Sequence, residues 1–191
     1  MIDPQPGPVS FGEYDALVPP EGEFYELENG YIVSFATGTG AHGIICTRIA
    51  TALDTHVKAP CRVFGASSIG VRIADRTTSL IPDGLVTCEE FAPDATYVTE
   101  PKLVVEVISP SSLTRDRIQK LDAYRSIPSL EEYLMVDARR VWACVFRRAP
   151  GSGWIDVTYS GLDDRVDLLS IDLRIALADL YRGIDVGKST A

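Results

Sequence analysis

A chain of 191 residues, 46% hydrophobic and 24% charged, has material for one domain with a sizeable core. No apolar run approaches the ~18–20 residues of a membrane span, and the opening MIDPQPGPVS lacks the basic and apolar regions of a signal peptide. The expectation is a soluble cytoplasmic protein without a membrane partner, and a net charge of −9 counts against a broad electrostatic grip on nucleic acid or anionic lipid.

Residues 1–10, with Pro4, Pro6 and Pro8, read as an extended arm. Ser10 followed by Glu13 is a capping-box pattern for a short helix. Residues 23–35 are two β-rich runs around Asn29-Gly30, a hairpin signal. Over 41–57, Ile45, Ile49, Leu53 and Val57 recur every fourth residue and predict an amphipathic helix. Residues 61–74 read as one strand bent at Gly65 and Gly70. Residues 79–88 read as a second strand containing Pro82, and 103–109 (LVVEVIS) as a third.

Ser109-Pro110-Ser111-Ser112 breaks the chain, and Ser111, Ser112 or Thr114 can cap a helix to about Ser126, ended by Pro128. Strands follow at 131–138 and 141–148, with a turn near Arg139-Arg140. A further strand begins at Trp154, an extended pair covers 165–175, and residues 176–181 read as a last short helix before a loose tail at 183–191. The pattern predicts a single domain over 1–191, a mixed sheet with helices on both sides, α/β or α+β in class.

Charge is uneven along this frame. Residues 1–30 carry seven acids and no Lys or Arg, whereas 102–148 carry nine basic residues against six acidic, a local +3 that leaves −12 elsewhere. Cysteines at 46, 61, 88 and 144 form no CxxC pair and show no metal-ligand spacing to His42 or His56; they read as buried reduced thiols.

Glu106 is the residue that demands an explanation. A carboxylate inside Leu103-Val104-Val105-Glu106-Val107-Ile108 costs several kcal/mol unless paired, protonated or metal-bound. A buried ion pair and a functional site account for it equally well. Asp83, in Pro82-Asp83-Gly84, reads first as a turn residue, although strand residues flank it on both sides. Lys120 reads first as a solvated partner of Asp116, four residues away, but its helix starts close enough to aim back at the end of the strand. Together the three make a kit for phosphodiester hydrolysis. Two carboxylates on adjacent strands can hold Mg²⁺ or Mn²⁺, and a lysine can orient a water and offset phosphate charge.

Phe24-Tyr25-Glu26-Leu27 with Asn29-Gly30, His42 opening a helix, Pro82-Asp83, the run from Leu103 to Ser111, Asp116 with Lys120, Tyr124, and Glu132-Tyr133 leading to Val136-Asp137 occur in one order. In this the sequence resembles the Uma-two family, restriction endonucleases of the PD-(D/E)XK nuclease superfamily, over about residues 10–181. The resemblance implies a restriction-endonuclease-like core behind an N-terminal β-hairpin. It implies Asp83 and Glu106 as catalytic metal ligands, the Val107 carbonyl as a third, and Mg²⁺ or Mn²⁺ as the cofactor. The position two residues after the acid, usually lysine, is Ile108 here, and Lys120 matches a lysine moved to the following helix. Tyr31 stands where relatives usually carry an acid. Glu26, His42 and Tyr124 are accessory candidates, and Arg115, Arg117 and Arg125 are candidates for nucleic-acid contact.

The expected activity is metal-dependent DNA cleavage, with a homodimer suited to cutting both strands. The rival readings are a non-catalytic nuclease-fold protein that binds nucleic acid or a protein, and a phosphoesterase with a small substrate. Salt separates the last from a nuclease, because phosphate-backbone binding weakens with salt.

Overall fold

The computed structural model describes residues 7–36, 38–65, 68–108, 119–151 and 153–186. The elements run α1 (Phe11–Asp15), β1 (Glu23–Glu28), β2 (Tyr31–Ala36), α2 (Gly40–His56), β3 (Arg62–Gly65), β4 (Gly70–Ile73), β5 (Thr78–Leu80), β6 (Gly84–Thr87), β7 (Tyr97–Val98) and β8 (Pro101–Ile108). Then come α3 (Leu121–Arg125), β9 (Glu132–Asp137), β10 (Ala143–Arg148), β11 (Trp154–Tyr159), β12 (Arg165–Leu168), β13 (Leu173–Ala176) and α4 (Leu177–Tyr181).

Local chemistry accounts for the first elements. Ser10 caps α1, and the Glu13 side chain reaches back to the Ser10 amide, the predicted capping box. Asn29 and Gly30 both take positive φ, which a tight turn between twisted strands requires, and β1 and β2 pair from Glu23↔Ala36 to Glu28↔Tyr31. Thr39 caps α2, whose Ile45, Ile49 and Leu53 are buried as their fourfold spacing predicts.

The strands form a five-stranded sheet, β2-β1-β5-β4-β7, a six-stranded sheet, β11-β10-β9-β8-β6-β3, and the β12-β13 hairpin. This corrects two of the predicted strands. Residues 61–74 divide into β3 and β4, and residues 79–88 into β5 and β6; in each case the two halves join different sheets. Pro82, which has no amide hydrogen to give a ladder, lies where the chain leaves the smaller sheet for the larger. Side-chain periodicity reads the same in either sheet, so the division is invisible in sequence.

β8 is the centre of the larger sheet, antiparallel to β6 and parallel to β9. Parallel pairing needs a crossover, and α3 lies on it. As predicted, β8 is buried on both faces. Leu103, Val105 and Val107 join a core with Ile45, Ile49 and Leu53 of α2. Val104 and Ile108 join a second core with Leu80, Leu121 and Tyr124. Each fully buried aliphatic side chain contributes about 1.5–3 kcal/mol, so both faces hold this strand firmly.

Cys61 and Cys88 form a disulfide, against the expectation of four reduced thiols; Cys46 and Cys144 are free. The β3–β6 register, with Arg62 opposite Thr87, brings the flanking cysteines together. No described helix is long and apolar enough to cross a membrane. The first six residues of the arm, the proposed caps Ser111, Ser112 and Thr114, and the last five residues of the tail lie outside the described residues.

Candidate active site

The site lies where β6 begins. Gly84 is opposite Val105, and β6 has no residue to face Val107 farther along β8. The Val107 amide donates instead to Asp83 Oδ2 at 2.7 Å, so the Asp83 side chain extends the ladder past its last backbone pair. The amide and carbonyl of one strand residue leave the same edge. The Val107 carbonyl therefore faces the edge that Asp83 occupies, and the Ile108 carbonyl, facing the other way, accepts from Ala138. Asp83 keeps its turn-like Pro-Asp-Gly sequence while its carboxylate sits beside the Glu106–Val107 backbone.

Glu106 points to the α3 side of β8. Its Oε1 accepts from Lys120 Nζ at 2.9 Å and from the Tyr124 hydroxyl at 3.0 Å. Lys120 Nζ also lies 3.0 Å from Glu26 Oε1, which accepts the Ile81 amide at 2.7 Å. Glu26 is fully buried, and Glu106 and Lys120 are each 5% exposed. One ammonium thus stands between two buried carboxylates drawn from β1 and β8. Pairing of Lys120 with Asp116 in solvent is not what this burial allows; Asp116 itself lies outside the described residues. Burial, reinforced by the Glu106 and Glu26 charges, raises the Tyr124 phenol well above its ordinary value, so it remains a donor to Glu106.

On the α2 side, His42 Nε2 lies 3.1 Å from Asp83 Oδ2. Cys46, one helical turn on, places Sγ 3.5 Å from His42 Nδ1. Burial, then the charges of Asp83 and Glu106, pushes the Cys46 thiol far above the usual range, which keeps it protonated. The ligand atoms of His42, Cys46 and Asp83 all lie within 4.8 Å of one another.

The fold therefore gathers Asp83, Glu106, Lys120, Glu26, His42, Tyr124 and the Val107 backbone at one place. Arg125 is exposed on α3, its guanidinium 5.6 Å from the Phe146 ring centre and 5.8 Å from that of Trp154. Arg115 and Arg117 lie outside the described residues. Cys46 is the participant that sequence reading missed. The signal was its place four residues after His42 on a predicted helix, where i and i+4 share a face.

The structure is similar to the crystal structure of "a putative nuclease belonging to DUF820" from Anabaena variabilis, with a TM-score of 0.74 at 20% identity, covering 91% of this chain and 98% of that one. That similarity shows a shared fold, α+β with mixed sheets flanked by helices. In sequence the chain is similar to the uncharacterized protein slr1290 of Synechocystis sp., 31% identical over 163 residues and 85% of each chain. It is also similar to the uncharacterized protein sll1609 of the same organism, 30% identical over 115 residues, covering 59% of this chain and 65% of that one. The family model described as "Putative restriction endonuclease" matches residues 11–178, and the chain belongs to that family, Uma2.

Proposed function

We propose that the protein is a metal-dependent endonuclease that hydrolyses phosphodiester bonds in DNA. Asp83, Glu106 and the Val107 carbonyl would hold Mg²⁺ or Mn²⁺, and Lys120 would be the catalytic lysine. The observation that carries this reading is Lys120 Nζ, delivered from the start of a helix to within 2.9 Å of the Glu106 carboxylate. A surface ion pair would explain neither its burial nor the Asp83 carboxylate on the next backbone amide.

The donor set fits a hard cation, because two carboxylates and a strand carbonyl are oxygen ligands of the kind Mg²⁺ and Mn²⁺ select. When bound, such an ion supplies Lewis-acid stabilisation of the phosphate and lowers the pKa of a coordinated water. The chain's own groups do the rest. The Lys120 ammonium offsets the charge that grows on the phosphate oxygens, and Glu26 holds it as well as Glu106. The Tyr124 hydroxyl orients the Glu106 carboxylate. The Val107 amide fixes Asp83, and the His42 ring lies against the same carboxylate oxygen. Arg125 is available to the DNA backbone, and a homodimer would present two such sites to a duplex.

The test is a magnesium titration followed by calorimetry and by nicking of supercoiled plasmid. Asp83→Asn and Glu106→Gln should each abolish the binding heat and the nicking. Full nicking by both variants would refute the assignment.

A further inference from the structure

Two hydrogen bonds end on one oxygen of Asp83. The Val107 amide donates to Oδ2 from 2.7 Å, and His42 Nε2 lies 3.1 Å from the same atom. A carboxylate oxygen only accepts, so the ring hydrogen of this pair is on Nε2. The other ring nitrogen meets Cys46, one turn along α2, whose Sγ lies 3.5 Å from Nδ1. Burial keeps that thiol protonated, so it is the donor to Nδ1. A carboxylate offers about four lone-pair sites, two on each oxygen. Val107 and His42 take the two on Oδ2, and Oδ1 is the oxygen left to meet a cation.

We propose that His42 makes Asp83 a one-oxygen ligand and thereby sets the ion selectivity of the site, favouring Mg²⁺ over Ca²⁺, with Cys46 supporting the ring. Mg²⁺ demands near-ideal octahedral geometry, keeps several waters, and uses few carboxylate oxygens. Ca²⁺ takes about 6–8 oxygens in flexible geometry and readily binds a carboxylate through both of its oxygens. With Oδ2 spent on two N–H groups, that second bond is denied to Ca²⁺, while Mg²⁺ loses nothing. The Val107 amide belongs to the backbone of β8, so His42 is the member of the pair that a side chain supplies. His42 acts here as a positioning residue, through Asp83. The selectivity rests on Asp83 being a cation ligand, as the nuclease reading has it; it does not require that DNA be cut.

The test is calorimetry of Mg²⁺ and of Ca²⁺ binding to the metal-free full chain, without nucleic acid, read as the ratio of the two affinities. His42→Ala opens a lone-pair site on Oδ2 and should shift that ratio toward Ca²⁺ by about 10-fold or more, the usual reach of groups that hold a metal ligand in place. His42→Gln returns an N–H donor near the place of Nε2 and should keep the ratio of the wild type. Cys46→Val removes the thiol donor at similar volume and should shift the ratio in the same direction as His42→Ala, by a smaller factor. An unchanged ratio in His42→Ala, or an equal shift in His42→Gln, would overturn the role of His42. An unchanged ratio in Cys46→Val would overturn the role of Cys46. No binding of either ion to the wild type would overturn the selectivity and the proposed metal site together. The expected ratios in a protein that does not nick plasmid would count against the nuclease reading alone.

Discussion

Replacing Lys120 with methionine keeps similar volume and removes the one cation between two buried carboxylates. At an effective dielectric of about 20, charges separated by 2.9 and 3.0 Å attract by about 5–6 kcal/mol each before desolvation is counted. The two Oε1 atoms can be no more than 5.9 Å apart, the sum of those distances, and repel by about 3 kcal/mol or more at the same dielectric. Methionine deletes both attractions and leaves the repulsion, a change that typically costs about 3–5 kcal/mol. For a chain of this size that lowers Tm by about 6–20 °C. Glu106→Gln acts in the opposite sense. It leaves the Lys120–Glu26 pair neutral, keeps an acceptor for Tyr124, and should stay within about 1 kcal/mol of wild type. In the Glu106→Gln background, Lys120→Met should regain about 3 kcal/mol of its cost, because no second carboxylate remains to repel Glu26. The assay is urea unfolding followed by circular dichroism with chelator present, so that no metal substitutes for the lysine. Lys120→Met unfolding with a free energy within about 1 kcal/mol of wild type, or strict additivity in the double variant, would refute the charge-balance argument.

Tyr181 donates to the carbonyls of Asp137 and Trp142 at 2.6 and 3.0 Å, tying α4 to the β9–β10 turn, so Tyr181→Phe should cost about 1–3 kcal/mol in urea unfolding. Burial pushes this phenol up to about 12. Its stabilising contribution is complete below the unfolded value of about 10 and is lost as pH rises toward 12; stability measured over that window should fall less steeply in Tyr181→Phe. Glu132 is buried on β9, accepting from Arg147 Nε at 2.6 Å and from the Leu169 and Ser170 amides. Glu132→Ala strands the guanidinium and should cost about 3–5 kcal/mol in thermal unfolding. Plasmid nicking well below the melting temperature should be unchanged, since Glu132 contacts none of the proposed machinery.

Sequence by itself determined what local physics determines. Ser10 and Glu13 specified a cap, Asn29-Gly30 a hairpin, the fourfold spacing of Ile45, Ile49 and Leu53 a buried helix face, and the valine-rich run around Glu106 a strand buried on both sides. A carboxylate in such a strand already required a partner, because the cost of an unpaired buried charge does not depend on the fold. Tertiary structure alone decided which partner. The Lys120 ammonium reaches Glu106 because the crossover from β8 to β9 lays α3 against the Glu106 face, and Glu26 arrives from the other sheet, 94 positions before Lys120. The division of residues 61–88 between two sheets, the Cys61–Cys88 disulfide and the meeting of His42 and Cys46 with Asp83 have the same origin. Each depends on which backbone edges pair across tens of residues, and side-chain periodicity carries no information about that pairing.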